Sequence, residues 1–178
     1  MNMFVNFIFA AFKAGTPLLF GTTGEILTEK SGNLNLGVEG MMYMGAFGGF
    51  YVGLKTGNLL LALLAAFAFG MGGALIYAFL TVTLKANQNV TGLTLTIFGT
   101  GFANFFGEMM IRNTPGGQPK LPAGLLNLLA ERPLLGDLQI PVLSKLLSTN
   151  PLVYLAIILA IVCSFYISRT RTGLKMRS

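Results

Sequence analysis

The chain has 178 residues, 53% of them hydrophobic and 10% charged, with a formal net charge of +6, no histidine and one cysteine. A soluble domain carries about a quarter of its residues as charges, so this composition belongs to an integral membrane protein. Lack of His excludes Ser–His triads, His-ligated metals and HExxH sites, and the lone Cys163 excludes an intrachain disulfide or a thiolate cluster. No G-x-x-x-x-G-K-[ST] sequence occurs to hold ATP on a P-loop, and no cofactor is expected. The basic residues flank apolar segments, as membrane topology requires, so the positive charge is read as a match to lipid and not to nucleic acid.

A spanning helix needs about 20 mostly apolar residues, and about five candidates follow one another. The first covers residues 4–26, with Lys13 near its middle. An intramembrane Lys must snorkel, pair with an acid or face a wet cavity, so a start at Ala14 after an interfacial lead-in is the alternative. Met1 to Phe12 has no basic n-region or cleavage site and does not read as a cleavable signal. The next stretch, Gly24 to Gly40 (GEILTEKSGNLNLGVEG), holds Glu25, Glu29, Lys30 and Glu39 among glycines and asparagines. That composition predicts a loop or broken helix.

Met41 to Leu54 is too short to span alone, so the second span is placed at 34–54, which takes Glu39 toward the membrane. Gly45, Gly49 and Gly53 recur every fourth residue, a spacing read first as close helix packing. Residues 58–84 form the cleanest span, with a second small-residue row at Ala66, Gly70, Ala74 and Ala78. After the punctuation Lys85-Ala-Asn-Gln-Asn89 comes a span at 89–111, in which Gln88, Gly92, Thr96, Thr100, Asn104 and Glu108 fall at every fourth position. Singly, these threonines are expected to bond back to their own helix. As a row, they suggest a side facing water or a solute pathway.

Residues 112–149 form a long loop that carries most of the prolines, and TPGGQPKLP cannot be regular structure. Leu125 to Glu131 within it could form a short amphipathic interfacial helix. Asn150-Pro151 opens the last span, 150–168, and a basic tail follows at 169–178. The positive-inside rule places that tail in the cytoplasm. Counting back puts 112–149 outside, Lys85 inside, Lys55 outside, residues 25–35 inside and the N-terminus outside. Glu39 has two open readings: a buried acid able to couple an ion, or a first-turn acid favoured by the helix dipole.

Two stretches carry a family resemblance. Gly24 to Gly40 is similar to a signature of the form "GE…E…G…NLG.EG", and Thr170-Arg-Thr-Gly-Leu-Lys-Met-Arg177 is similar to one of the form "T..G...R". Both resemble the permease subunits of bacterial ABC importers for nucleosides and simple sugars, within the branched-chain amino acid/ribose-type permease superfamily. Asn89-Val-Thr-Gly-Leu93 and Asn150-Pro-Leu-Val-Tyr154 look like family features too. The resemblance implies an all-α, polytopic membrane fold forming the N-terminal half of a permease bundle in the bacterial plasma membrane. It implies three protein partners: a cytoplasmic ABC ATPase subunit, a second permease subunit and an extracytoplasmic substrate-binding lipoprotein. It assigns ATPase coupling to Arg169, Thr170, Thr172, Gly173 and Arg177. Pathway or packing roles fall to Asn33, Asn35, Glu39, Asn87, Asn89, Thr91 and Gly92. Family members continue past the coupling segment, so the chain is expected to be an incomplete permease.

Two other classes stand beside this one. An ion-coupled secondary transporter would use Glu39 or Glu108. A membrane enzyme or scaffold is disfavoured, as an enzyme, by the missing His and the lack of paired carboxylates in one span. The solute is open: a nucleoside would want an aromatic stack, and 15 Phe residues do not single one out.

Overall fold

In a computed structural model of the chain, residues 3–116, 118–129, 150–171 and 173 are described. Among them the regular structure is entirely helical: α1 Met3–Lys30, α2 Val38–Thr56, α3 Leu59–Ala78, α4 Gln88–Arg112, α5 Ala123–Leu129 and α6 Pro151–Arg169. A π-helical turn, Phe79–Thr83, prolongs α3. The helices belong to two compact units, one of residues 33–128 and one of residues 1–32 with 129–178.

Short asparagine-capped turns build the unit of residues 33–128. Gly57 ends α2 in the left-handed conformation (φ 65°), and its N–H donates to the Gly53 carbonyl. The next residue, Asn58, starts α3: its Oδ1 accepts from the Leu60 and Leu61 N–H groups at 2.9 and 3.4 Å. The same chemistry recurs after the π-helical turn. Lys85 reverses the chain with φ 53°, and Asn87 Oδ1 accepts from the Asn89 and Val90 N–H groups at 3.0 and 3.2 Å. An N-cap of this type contributes about 1 kcal/mol. With connections this short, α3 runs antiparallel to α2 and α4 runs parallel to it.

Helix α2 packs on both α3 and α4. Its glycine row faces small residues of α3: a Cβ at Gly49 would lie 2.9 Å from the Ala66 Cβ, and one at Gly53 would lie 3.2 Å from the Ala62 Cβ. Small side chains on both helices let the backbones approach, which is what drives association where lipid offers no hydrophobic contrast. The α3 row divides: Ala66 and Gly70 lie at this contact, whereas Ala74 and Ala78 are exposed. Helix α5 closes the far end of α2. Leu125 is 2% exposed, packing against Gly53, and Pro122 sits by Gly57. The expected short helix thus begins at Ala123, two positions before the predicted Leu125. Its predicted last residues, 130 and 131, lie outside the described residues.

In the other unit α1 packs against α6. Asn150 Oδ1 caps α6 by accepting from the Leu152 N–H at 3.0 Å, and Pro151 occupies the first turn, where its missing N–H is not needed. Helix α1 corrects one expectation. Gly24 to Lys30 does not break the helix but continues it, and only residues 31–37 are non-helical. A glycine within a helix costs only about 1 kcal/mol, and Ile26 and Leu27 keep the segment apolar. Glu25 is drawn into the helix as well, with Thr28 Oγ1 donating to its carbonyl at 2.9 Å and to its Oε2 at 3.3 Å.

Two helices are long and apolar enough to cross a bilayer among the described residues, Leu59–Thr83 with 25 residues and Pro151–Arg169 with 19. At about 1.5 Å per residue, each approaches or exceeds a hydrocarbon core of about 30 Å. Helices α1, α2 and α4 have the length, but glycine, threonine and asparagine dilute their apolarity. Large side chains such as Leu60, Phe67, Leu75 and Ile161 are each more than 60% exposed, a surface suited to lipid or further helices.

Gly49→Val is expected to destabilise the chain in detergent by about 1–3 kcal/mol through overpacking. Gly72→Ala, where an added Cβ meets nothing within 4 Å, should raise the thermal midpoint slightly, by the roughly 1 kcal/mol of helix propensity that alanine gains over glycine. The two midpoints measured side by side check this.

Candidate functional site: the crossing of the α2 start over α4

Between α1 and α2 the chain crosses the first turns of α4 in a non-helical segment, Asn33 to Gly37. Its backbone groups need partners, because an unsatisfied group in or near hydrocarbon costs several kcal/mol. Side chains of α3 and α4 supply them. The Leu34 N–H donates to Gln88 Oε1 at 2.9 Å, and the Leu34 carbonyl accepts from the Tyr77 hydroxyl at 2.6 Å. The Leu36 carbonyl accepts from Thr96 Oγ1 at 2.8 Å. Gln88 also donates through Nε2 to Asn33 Oδ1 at 3.1 Å.

Within the segment, Asn35 is buried and turns the chain into α2. Its Oδ1 accepts from the Gly37 N–H at 3.0 Å, an Asx turn, and its amide lies 3.8 Å from Met41 Sδ. Glycine makes the crossing possible. A Cβ at Gly92 would stand 2.8 Å from the Leu36 nitrogen, and one at Gly40 would fall on the Leu95 carbonyl and 2.7 Å from the Thr96 Cα. A Cβ at Gly99 would fall on the backbone of Gly40. Backbone therefore lies on backbone where α2 begins.

The structure brings together Asn33, Asn35 and Gly92 from among the sequence-predicted positions, with Thr91 buried in the same turn as Gly92. Asn87 and Asn89 are exposed at the start of α4, where Asn87 acts as its cap. Glu39 is exposed in the first turn of α2, where the helix dipole favours an acid by about 0.3–1 kcal/mol. Glu108 is also exposed and pairs with Arg112 at 3.6 Å, one turn on. The every-fourth-residue row of α4 divides in function. Gln88, Gly92 and Thr96 hold the crossing segment. Thr100 bonds back to the Thr96 and Ile97 carbonyls at 2.9 and 3.0 Å, and Asn104 is exposed.

Tyr77 and Thr96 are the anchors that sequence reasoning missed. One signal was present for Tyr77: it is the sole tyrosine of an apolar helix, and a buried phenolic hydroxyl needs a partner.

At the end of α6, Arg169 and Arg171 are exposed. Thr170 works in both directions there: its Oγ1 donates to the Tyr166 carbonyl at 2.7 Å and accepts from the Gly173 N–H at 3.1 Å. The side chain thus ends α6 and caps the helical turn that follows. Gly173 is buried, and a Cβ on it would lie 2.7 Å from the Ile167 Cα, so the turn folds back on α6. Thr172 and Arg177 lie outside the described residues. No group of three or more His, Cys, Asp or Glu converges among the described residues.

Gly99→Ala is expected to destabilise the crossing by about 1–3 kcal/mol, whereas Gly101→Ala, in open space, should be slightly stabilising, by up to about 1 kcal/mol of helix propensity. Tyr77→Phe should cost about 1–3 kcal/mol by leaving the Leu34 carbonyl without its donor. Denaturant unfolding of the three variants in one detergent gives the comparison.

The family described as "Branched-chain amino acid transport system / permease component" matches residues 7–178. A permease of Haloferax volcanii, assigned by its name to a glucose ABC transporter, is 36% identical over 177 residues, 99% of this chain and 52% of its own length. The guanosine ABC transporter permease of Bacillus subtilis is 33% identical over 91% of this chain and 51% of its own length. The nucleoside ABC transporter permease of Lactococcus lactis subsp. cremoris is 30% identical over 92% of this chain and 52% of its own length. The chain spans about half the length of these relatives. No solved structure matches it. A match along nearly every residue, on an all-helical apolar chain, makes it a member of the branched-chain amino acid transport system permease component family.

Proposed function

We propose that the chain forms part of the transmembrane permease subunit of an ATP-driven importer for nucleosides or simple sugars, and that it couples to a cytoplasmic ATPase. The observation that carries this reading is the similarity along 99%, 91% and 92% of the chain to three proteins named as ABC transporter permeases. In this reading a partner ATPase supplies the energy. A second permease subunit would complete the pathway, and an extracytoplasmic binding lipoprotein would deliver the solute.

In this reading the chain does no chemistry and acts by moving. The α2–α3–α4 trio, locked at its glycine contacts, moves as a block. The basic end of α6, with Arg169 and Arg171 exposed and Thr170 fixing the turn, offers the ATPase a short positive docking element. The same coupling role is proposed for Thr172, Gly173 and Arg177. Ion coupling through Glu39 or Glu108 draws less support, since Glu108 is exposed beside Arg112 and Glu39 is exposed at a helix start.

The test is affinity purification of the full-length gene product from membranes, with uptake measured in the same cells. An ABC ATPase and a second permease should co-purify, and uptake of labelled guanosine or glucose should survive a protonophore but vanish when the ATPase lysine is replaced. Gly173→Leu should reduce ATPase recovery several-fold while leaving the second permease bound. Uptake that collapses with the proton gradient, with no ATPase recovered, would contradict the proposal.

A further inference from the structure

At the C-terminal ends of α2 and α4 lies a cleft of about 510 Å³ that the crossing does not use. Five rings wall it: Phe47 and Tyr51 from α2, Phe69 from α3, and Phe102 and Phe106 from α4. The rings fix one another. Phe102 and Phe106 have centroids 4.7 Å apart, Phe47 meets Phe102 edge-on at 5.8 Å, and Phe47 stacks on Tyr51 at 5.9 Å with an interplanar angle of 22°. A wall ordered before binding needs little further ordering to receive a flat ligand. Tyr51 and Phe106 still expose 42% and 37% of their surface.

The polar side chains of the cleft are few. Lys55 lies with its Nζ 6.0 Å from the Tyr51 ring centre, and Asn113 and Thr114 stand where α4 ends. Thr114 Oγ1 uses its proton on the Met110 carbonyl at 2.8 Å and so faces the cleft as an acceptor.

Volume and lining both constrain the ligand. Small-molecule pockets occupy about 300–1,000 Å³ and combine apolar walls with a few placed polar groups. A free hexose carries hydroxyls around its whole rim and would leave most of them unmatched against five rings, at a cost of about 1–3 kcal/mol per buried unpaired group. A planar heterocycle gains about 1–3 kcal/mol from stacking on an aromatic side chain. Its polar edge, or an attached sugar, then needs only the few donors and acceptors present. An acyl chain would match the rings but not Lys55, Asn113 and Thr114 together.

We infer that this cleft is a binding site for the base of a nucleoside, with the part-exposed Phe106 ring as its stacking face, Phe102 packed behind it at a tilt of 52°, and Lys55 and Asn113 addressing the base edge or ribose. This rests on the permease reading above and narrows its solute from nucleosides or sugars to nucleosides.

The experiment uses the full-length permease in its co-purified complex, held in lipid nanodiscs, with guanosine and glucose as probes in equilibrium binding. Guanosine should bind and glucose should not. Phe102→Leu should weaken guanosine at least 10-fold, and Asn113→Ala, which leaves the ring packing intact, should weaken it about 3-fold or more. Phe67→Leu, on an exposed face of α3, should have no effect. Photolabelling with an azido-purine nucleoside should mark residues 47–55 or 102–114 and be blocked by guanosine alone. Guanosine binding unchanged in both cleft variants, label mapping to another helix, or glucose bound in preference would overturn the cleft assignment while ATP-driven uptake kept the permease reading intact. If no ATPase co-purifies and uptake needs no ATP, the reading fails and the inference falls with it.

Discussion

Gly40 and Gly99 lie backbone against backbone, and the unit of residues 33–128 depends on that contact. It sets where α2 begins, because any side chain at either position would push the two helices apart. The crossing segment cannot then make helical hydrogen bonds of its own, so its polar groups must be met from outside. Tyr77, Gln88 and Thr96 meet them. An interhelical hydrogen bond within a membrane protein averages only about 0.6 kcal/mol. The larger quantity is the roughly 1–3 kcal/mol that a buried backbone group left without a partner would cost. These side chains thus make an irregular segment tolerable, and the glycines make it close-packed.

The two compact units carry different features. In residues 33–128, small-residue contacts hold three helices together and leave an aromatic cleft at one end. In the other unit, α6 ends at a threonine that caps in both directions, with arginines exposed on either side of it. Neither unit converges on a catalytic or metal-binding group among the described residues.

Much of this was legible in the sequence where the signal was local. Apolar runs located the helices: the spans placed from 58, 89 and 150 begin within a residue of α3, α4 and α6, and Asn150-Pro151 marked the last of these starts. Gly45, Gly49 and Gly53 read as packing and do pack. The illegible features have non-local causes. Gln88, Gly92 and Thr96 form a visible stripe, but their partners lie 54 to 60 residues earlier in the chain, and no periodicity reveals what covers a stripe. Gly24 to Lys30 has loop composition, yet it stays helical because a lone glycine is a weaker influence than a continuing helix. The rings at positions 47, 69, 102 and 106 could not be chosen from 15 Phe residues until helix packing brought them together.

The crossing itself is tested most directly by its geometry in the native membrane. Asn33 and Gln88 meet side chain to side chain at 3.1 Å, so cysteines at both positions, in a full-length chain carrying Cys163→Ser, should be joined by a short bifunctional thiol reagent. The account predicts efficient intramolecular cross-linking for Asn33→Cys with Gln88→Cys and none for Asn33→Cys with Asn104→Cys, farther along α4. Cross-linking at position 104 but not at 88, or at neither, would contradict a chain organised around this crossing.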